Sequence, residues 1–190
     1  MTNLDARLNS VLDRITSDDF LESRGLSGDM PFWVFDYPPE REEDVRKHVE
    51  SIVHQAPKKR QGLKLSHVNL LELVRDILTE RKFLDKSYAM QKAKGTAATL
   101  NALRGPLDAQ KVARALVDRC KPTDTDVVLV SGVGSAYPLV RVHNLLNALQ
   151  PHFSGTPLVF FYPGIYDGQT LRLFGELSDK PYYRAFRLAQ

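Results

Sequence analysis

The sequence has 190 residues, one cysteine and 43% hydrophobic residues, which fits a single globular domain better than two independent ones. A lone cysteine excludes a disulfide-rich secreted module, and the absence of a Cys/His cluster with zinc-ligand spacing excludes a zinc finger. No apolar run approaches the roughly 20 residues that span a bilayer. We therefore expect a cytoplasmic protein that binds no metal or other cofactor.

The net charge of +3 is distributed unevenly along the chain. Residues 1–50 carry 6 Lys/Arg and 12 Asp/Glu, residues 51–120 carry 14 and 6, and residues 121–190 carry 6 and 5. An acidic head and a basic middle are found in proteins that bind nucleic acid or an acidic protein. The favoured interpretation is simpler, namely that the oppositely charged faces neutralise each other on folding.

The N-terminal part predicts two helices and a buried strand. Apolar residues between Leu4 and Ile15 recur at the spacing of one helical face, and a short second helix is expected from Ser17 to before Gly25. The unbroken apolar run 32–35 follows. Because it does not alternate with polar residues, it predicts a strand that is buried on both faces, as in a parallel sheet.

The middle of the chain is predicted to be mainly helical. A helix is expected from Pro39, since proline is tolerated in the first turn and the following carboxylates favour the positive end of the helix dipole. A second strand is expected over 63–66, and the residues 69–72 resemble a capping box that begins the next helix. Two more helices are expected over 85–103 and 106–119.

The last third shows the pattern of an α/β protein. Buried strands are expected over 126–131 and 157–162, joined by a tight turn at 132–136 and a helix over 138–150. A crossover of this length makes the two strands parallel.

Two further short strands, 171–174 and 183–188, are expected to form a C-terminal β-hairpin. The predicted fold is therefore α/β, with a small, mostly parallel sheet flanked by helices. We expect one domain over residues 1–190, in which 68–120 form a helical, basic insertion and 121–190 form the strand–helix–strand unit and the hairpin.

The glycine-containing turn after the third predicted strand is the most suggestive local motif. Gly132 and Gly134 lie between a strand and a helix, where free backbone N–H groups hold phosphates in many proteins. The dinucleotide fingerprint needs a third glycine where Tyr137 stands, and the phosphate loop needs a lysine that is absent. A turn that uses glycine for its backbone angles is the favoured interpretation, and a nucleotide site is the alternative.

Ligands of open parallel sheets collect at the carboxyl ends of the strands, so we expect a rim of candidate residues there. The candidates for a ligand or partner site are Asp36, Ser131, Gly132, Gly134, Ser135, Arg141, His143, Asp167 and Arg172, with His67, Tyr162 and Tyr166 nearby. Turn roles are favoured for Asp36 and Asp167. Ser131 lacks the G-x-S-x-G elbow and no carboxylate pair has diagnostic spacing, so we expect no enzymatic activity.

A candidate basic surface lies on the helical middle, at Lys92, Lys94 and Arg104. The basic residues of this region do not fall on one helical stripe, and aromatic residues are sparse, which does not support a stacking platform for single strands. A face that contacts phosphates, a protein contact and a solvated surface all explain these cations. Cys120 ends an apolar helical face, which predicts a buried small side chain rather than a nucleophile.

Several motifs together resemble one known family. They are the strand and proline exit over 32–39, the strand and turn over 128–135, the segment 137–143, and the segments 161–164, 167–168, 171–175 and 182–186. In these motifs the chain resembles the BrxB family of BREX, the bacteriophage exclusion systems of bacteria. The resemblance implies a defence component that acts beside a PglZ-type alkaline-phosphatase-like protein, the ATPase BrxC and the DNA methyltransferase PglX. It brings no catalytic residues with it.

Two functions are therefore expected. The first is a non-catalytic adaptor of the defence complex that binds the PglZ-type protein, with BrxC or PglX as further partners. The alternative is a component that binds a nucleotide through the Gly132–Ser135 turn, or nucleic acid such as DNA through the basic helical middle.

Overall fold

The computed structural model describes residues 3–22, 32–153, 155–178 and 185–189. Its helices are α1 (Asn3–Thr16), α2 (Asp18–Glu22), α3 (Glu42–Lys59), α4 (Leu70–Glu80), α5 (Leu84–Leu103), α6 (Ala109–Cys120), α7 (Val133–Ala136) and α8 (Val142–Leu149), with 3-10 turns over Pro39–Arg41, Pro122–Asp124 and Gln150–His152. Its strands are β1 (Phe32–Tyr37), β2 (Leu65–Asn69), β3 (Val127–Ser131), β4 (Leu158–Tyr166), β5 (Leu171–Leu173), β6 (Leu177–Ser178) and β7 (Ala185–Arg187).

The strands form a sheet whose main part is parallel, in the order β2-β3-β4-β1-β7. β4 is the central strand, and the start of β4 at Leu158 pairs with Phe32 of β1 on one side and Val128 of β3 on the other. The later part of β4 leaves this sheet and pairs antiparallel with β5, which pairs antiparallel with β6. The predicted α/β class and mostly parallel sheet are confirmed.

Helices cover both faces of the sheet. Alternate residues of each strand point to opposite faces, so β1 contributes Phe32 and Val34 to one apolar cluster and Phe35 and Tyr37 to the other. The cluster of Phe35 packs against α1, α2 and α3, which we call the first helical layer. The cluster of Phe32 packs against α4, α6, α7 and α8, which together with α5 we call the second helical layer.

The C-terminal pairing differs from the prediction. A hairpin is present, but its strands are β5 and β6, whereas β7 pairs in parallel with β1 at the edge of the main sheet. The predicted partners 171–174 and 183–188 therefore belong to different neighbours, and residues 183–184 lie outside the described residues. Backbone hydrogen bonding explains the difference, because β7 pairs with the backbone groups of β1 that face away from β4, and the N–H of Leu188 donates to the C=O of Val34 at 2.9 Å.

The helix predicted over 138–150 is shorter and preceded by an extra turn of helix. Residues 133–136 form α7, and the regular helix α8 begins only at Val142. The cause is local, since a residue that precedes proline avoids the helical region and Tyr137, before Pro138, is extended. Arg141 is extended too, so it lies at the end of this loop rather than within the helix.

α5 differs from the other long helices because it buries little of its surface. Of its 20 residues only Thr99 and Leu103 are buried, and Gly95 interrupts the helix with positive φ. A helix without a wide apolar face obtains little stability from packing. Within the described ranges, no helix is long and apolar enough to cross a membrane.

Candidate functional site

Asp36, at the end of β1, is the centre of a buried ion cluster. Its Oδ1 lies 2.6 Å from Nη2 of Arg7 in α1, and its Oδ2 accepts a hydrogen bond of 3.1 Å from the backbone N–H of Tyr166. Nη2 of Arg187, in β7, lies 3.6 Å from the same Oδ2. The expected turn role of Asp36 is wrong, because a buried carboxylate needs such partners and here receives them from three elements.

Ser131, at the end of β3, forms a hydrogen bond with His67 of β2. Its Oγ lies 2.8 Å from Nε2 of His67 in β2. Burial lowers the pKa of His67, so its imidazole is neutral at pH 7. Among the described residues no carboxylate hydrogen-bonds this histidine, and the pair alone is not a Ser–His–Asp arrangement.

The glycine turn is built for close packing. A Cβ atom on Gly132 would lie 2.5 Å from Oδ1 of Asn69, whose side chain caps α4 by accepting from the N–H groups of Leu71 and Glu72. A Cβ atom on Gly134 would lie 2.8 Å from the Pro163 side chain. Both glycines therefore have a packing reason, which matches the favoured interpretation of this turn.

An acidic crevice of about 580 Å³ opens beside this turn at the carboxyl edge. Ser131, Gly132 and Ser135 line it. So do Arg46 and four carboxylates from the 3-10 turn before α3, from α3 and from α4: Glu40, Glu42, Glu43 and Glu72. Tyr37 donates a hydrogen bond of 2.6 Å to Glu42, and burial together with this carboxylate raises the pKa of Tyr37. The crevice thus combines three predicted rim residues with acidic side chains that the prediction omitted.

Three other rim candidates, Asp167, Arg172 and His143, do not line this crevice. Asp167 accepts from the N–H groups of Gln169 and Thr170, which lowers its pKa and confirms its predicted turn role. Arg172 lies in the middle of β5, paired with Ile165 in register. His143 lies in the first turn of α8. Asp167 and Arg172 interact electrostatically with each other, whereas His143 lies on α8, so these three candidates do not form one site with the crevice.

A groove of about 770 Å³ lies between the end of α5, the start of α6 and the start of α8. Arg104, at the end of α5, and Arg141, at the start of α8, both line it. Both side chains are exposed, and neither makes an ion pair or hydrogen bond with a described residue. The groove therefore joins one residue of the predicted rim to one residue of the predicted basic surface.

The other two residues of the basic surface, Lys92 and Lys94, lie on the exposed first part of α5 and do not line this groove. Within the described part of the chain their side chains have no acidic partner. Of the three predicted cations, Lys92 and Lys94 therefore lie on an exposed part of α5, and Arg104 lines the groove.

Two further expectations concern the burial of Cys120 and the binding of metal ions. Cys120 is buried, and burial raises the pKa of its thiol to about 12, as its apolar helical face predicted. Among residues 3–22, 32–153, 155–178 and 185–189, no group of three or more Cys, His, Asp or Glu has the arrangement of a metal site.

Sequence reasoning missed the pairings of Asp36 with Arg7 and of Ser131 with His67. One signal for the first was available, because Asp36 is the acidic residue next to an apolar run, and a charge buried there requires a counter-ion. The position of Arg7 beside the apolar stripe of α1 was compatible with that role. His67 was expected near the same rim as Ser131, but no local signal predicts their hydrogen bond, because it depends on β2 and β3 being neighbours in the sheet.

Known proteins give a direct comparison. A family model described as "BREX protein BrxB" matches residues 66–188. A protein of Bacillus cereus (strain H3081.97) named "BREX protein BrxB" is 38% identical over an alignment that covers 99% of this chain and 98% of that protein. The chain belongs to the BrxB family.

A second BrxB-family protein, from Escherichia coli O9:H4 (strain HS), is 35% identical over 97% of this chain and 91% of its own length. The resemblance drawn from the motifs is confirmed, and the chain is related to the BREX phage-defence systems. No solved structure matches the chain.

Proposed function

We propose that this BrxB-family chain is a non-catalytic adaptor of a BREX complex that binds the PglZ-type protein, with BrxC or PglX as further partners. The groove between α5, α6 and α8 carries the proposal. It combines an apolar floor with two arginines that lack partners among the described residues. An apolar centre beside charged groups is the usual composition of a protein interface, where arginine is enriched.

The groove belongs to the part of the chain that defines the family. Every residue that lines the groove, from Leu100 to Ala148, falls within the part of the chain that the BrxB family model matches.

Co-purification tests the adaptor function. The chain is produced with an affinity tag together with the PglZ-type protein, BrxC and PglX of the same system, and retention is measured at moderate salt. We expect the PglZ-type protein to be retained. Because attraction between charged faces acts mainly on encounter, the association rate should fall as ionic strength rises. If none of the three proteins is retained, the adaptor function is wrong.

A nucleic-acid-binding function is the second candidate, and the exposed lysines of α5 favour it. Lys92 and Lys94 have no acidic partner within the described residues, and Tyr88 on the same helix is 66% exposed. Fluorescence anisotropy with a duplex of about 30 base pairs, between about 50 and 200 mM salt, measures binding and its salt dependence. Charge reversal of Lys92, Lys94 and Arg104 should abolish it; retention of binding would exclude this surface.

Nucleotide binding through the Gly132–Ser135 turn is not favoured by the packing of this turn. Packing against Asn69 and Pro163 accounts for Gly132 and Gly134. Thermal unfolding with millimolar ATP, GTP or dinucleotide is the simple check, because a ligand of the folded state raises the unfolding temperature. We expect no shift.

A further inference from the structure

We propose that the groove between α5, α6 and α8 binds an acidic amphipathic helix of the protein partner, an inference that rests on the adaptor function proposed above. The end of α5 and the start of α8 both contribute to the groove, together with the beginning of α6. A groove between helices is a common seat for one more helix, because side chains three and four positions apart fit between those of the walls.

The floor and the sides of the groove are lined by apolar side chains. Leu103, Leu107, Val140 and Ala148 line it and are buried, while Leu139 is half-buried at its side. The volume of about 770 Å³ leaves room for several side chains of a partner. Because these four side chains are already buried, the apolar surface that a partner can still cover lies on the half-buried Leu100 and Leu139 and on the exposed Pro138. Removing that surface from water favours association.

The charges of the groove select the sign of its occupant. Arg104 and Arg141 are exposed and have no partners among the described residues. Asp108 is the acidic residue that lines the groove, and its Oδ1 already accepts the N–H of Gln110 at 3.0 Å as the cap of α6. Carboxylates of an incoming helix can therefore pair with both guanidinium groups without competing with this aspartate.

The lining favours a protein over a nucleic acid. Its remaining polar side chains are amides, from Gln110, Asn144 and Asn147, and no aromatic ring is among the residues that line it. Single-stranded nucleic acid binds through stacking on exposed aromatic rings, and duplex binding depends on many cations along a backbone. Two arginines above a leucine-rich floor match neither.

A second exposed apolar surface provides the matched control. Ile165, Phe174 and Leu177, on β4 and the β5–β6 hairpin, are 42%, 39% and 40% exposed. They lie outside the groove. If the partner docks on this hairpin surface instead, substitutions there and not in the groove will weaken binding.

The experiment compares three variants of the full chain for binding to the purified PglZ-type protein by titration calorimetry. The groove variant is Arg104→Glu with Arg141→Glu. The charge control is Lys92→Glu with Lys94→Glu, which changes the net charge by the same amount on the neighbouring helix surface. The apolar control is Phe174→Ser with Leu177→Ser. Thermal unfolding of each variant establishes that it is folded.

We expect the groove variant to bind about 100-fold more weakly, since reversing charges at a desolvated pair weakens complexes by this order. The two controls should bind within about 3-fold of the unchanged chain. A photoreactive benzoylphenylalanine in place of Leu139 should crosslink to a partner segment that carries carboxylates on one helical face and apolar residues on the other.

Each other outcome is decisive. Unchanged affinity of the groove variant, loss confined to the hairpin variant, or crosslinks to a segment without carboxylates would overturn the groove inference and leave the adaptor function intact. Loss of duplex DNA binding without loss of partner binding in the groove variant would assign the groove to nucleic acid instead. No binding by the unchanged chain would overturn the proposed function and the inference with it.

Discussion

The two helical layers handle their charges differently. In the first layer, cations and carboxylates of different elements pair: Arg41 with Asp5, Lys59 with Asp13, and Arg60 with Asp18. In the second layer, Arg119 and Arg75 share Asp76, but Lys92, Lys94, Arg104 and Arg141 have no partners among the described residues. Charges in the first layer therefore connect elements of the fold, whereas many charges in the second remain available to another molecule.

The uneven charge of the sequence acquires a structural meaning from this contrast. The acidic head is partly neutralised within the protein, because Lys59 and Arg60 from the basic middle reach Asp13 and Asp18 of the first layer. The interpretation of mutually neutralising faces therefore holds for this layer. It does not extend to α5, whose cations find no carboxylate of the described residues within reach.

The strongest test of the first layer is Asp36→Asn. It leaves the partly buried Arg7 guanidinium, whose side chain is 14% exposed, without its counter-ion. The free energy of unfolding should fall by about 3 kcal/mol, the lower end of the loss for fully buried ion pairs. Urea denaturation measures this loss. Asp118→Asn, at an exposed position of α6 in the second layer, is the control and should change stability by no more than about 0.5 kcal/mol. Equal effects at both positions would contradict the difference between the layers.

Close packing between Gly132 and Asn69 at the carboxyl edge of the sheet contributes to stability, and Gly132→Ala tests this contribution. Its φ of 69° costs a side chain about 1 kcal/mol, and displacement of Asn69 removes the cap of α4 at about 1 kcal/mol more. We expect a loss of about 2 kcal/mol in chemical denaturation. Gly168→Ala is the matched control, because Gly168 also has positive φ but a Cβ there meets open space. If both variants lose the same stability, the contact with Asn69 has no energetic role.

A pair of charge reversals compares the layers directly. Lys59→Glu with Arg60→Glu replaces two ion pairs of the first layer by repulsion and should cost about 1 kcal/mol, since both pairs are partly exposed. Lys92→Glu with Lys94→Glu alters the net charge equally and should cost no more than about 0.5 kcal/mol. Urea midpoints at low salt give both values. The difference should shrink at high salt, and a difference that persists there would not be electrostatic.

The elements with a strong period could be predicted from the sequence. The apolar spacing of α1 and the unbroken run of β1 are properties of neighbouring residues, and both elements form where the pattern placed them. The partner of β7 could not be predicted, because it depends on which strand edge remains uncovered after the rest of the sheet has formed. The strand predicted over 63–66 forms over Leu65–Asn69, where it pairs with all of β3.

The candidate site was predictable to a smaller extent. The rule of the carboxyl edge correctly grouped Ser131, Gly132 and Ser135, which line one crevice. It could not show that Arg141 and Arg104 line the same groove. This depends on the long-range placement of the end of α5 beside α6 and α8, and on the loop that carries Arg141 before α8 begins. Surfaces formed by helix packing are set by long-range contacts, and a single sequence carries no local signal for them.

The smallest expected effect on stability concerns His67, because its charge is governed by burial rather than by an ion pair. It lies on β2 beneath α3, and burial lowers its pKa from the usual 6.5 although the carboxylates of Glu72 and Glu50 oppose this shift. The unfolded chain therefore takes up a proton at a higher pH than the folded protein does. Stability is complete above the usual pKa and should fall as the pH decreases through the lowered one.

Urea midpoints at about pH 7.5 and pH 5.5 measure this dependence. His67→Gln, which keeps a polar group near Ser131, should reduce the loss of stability at the lower pH. His152→Gln, at an exposed position, should leave that loss unchanged. If the His67 variant loses as much stability on acidification as the unchanged chain, other groups control the acid sensitivity, and the first layer owes its response to its carboxylate pairs instead.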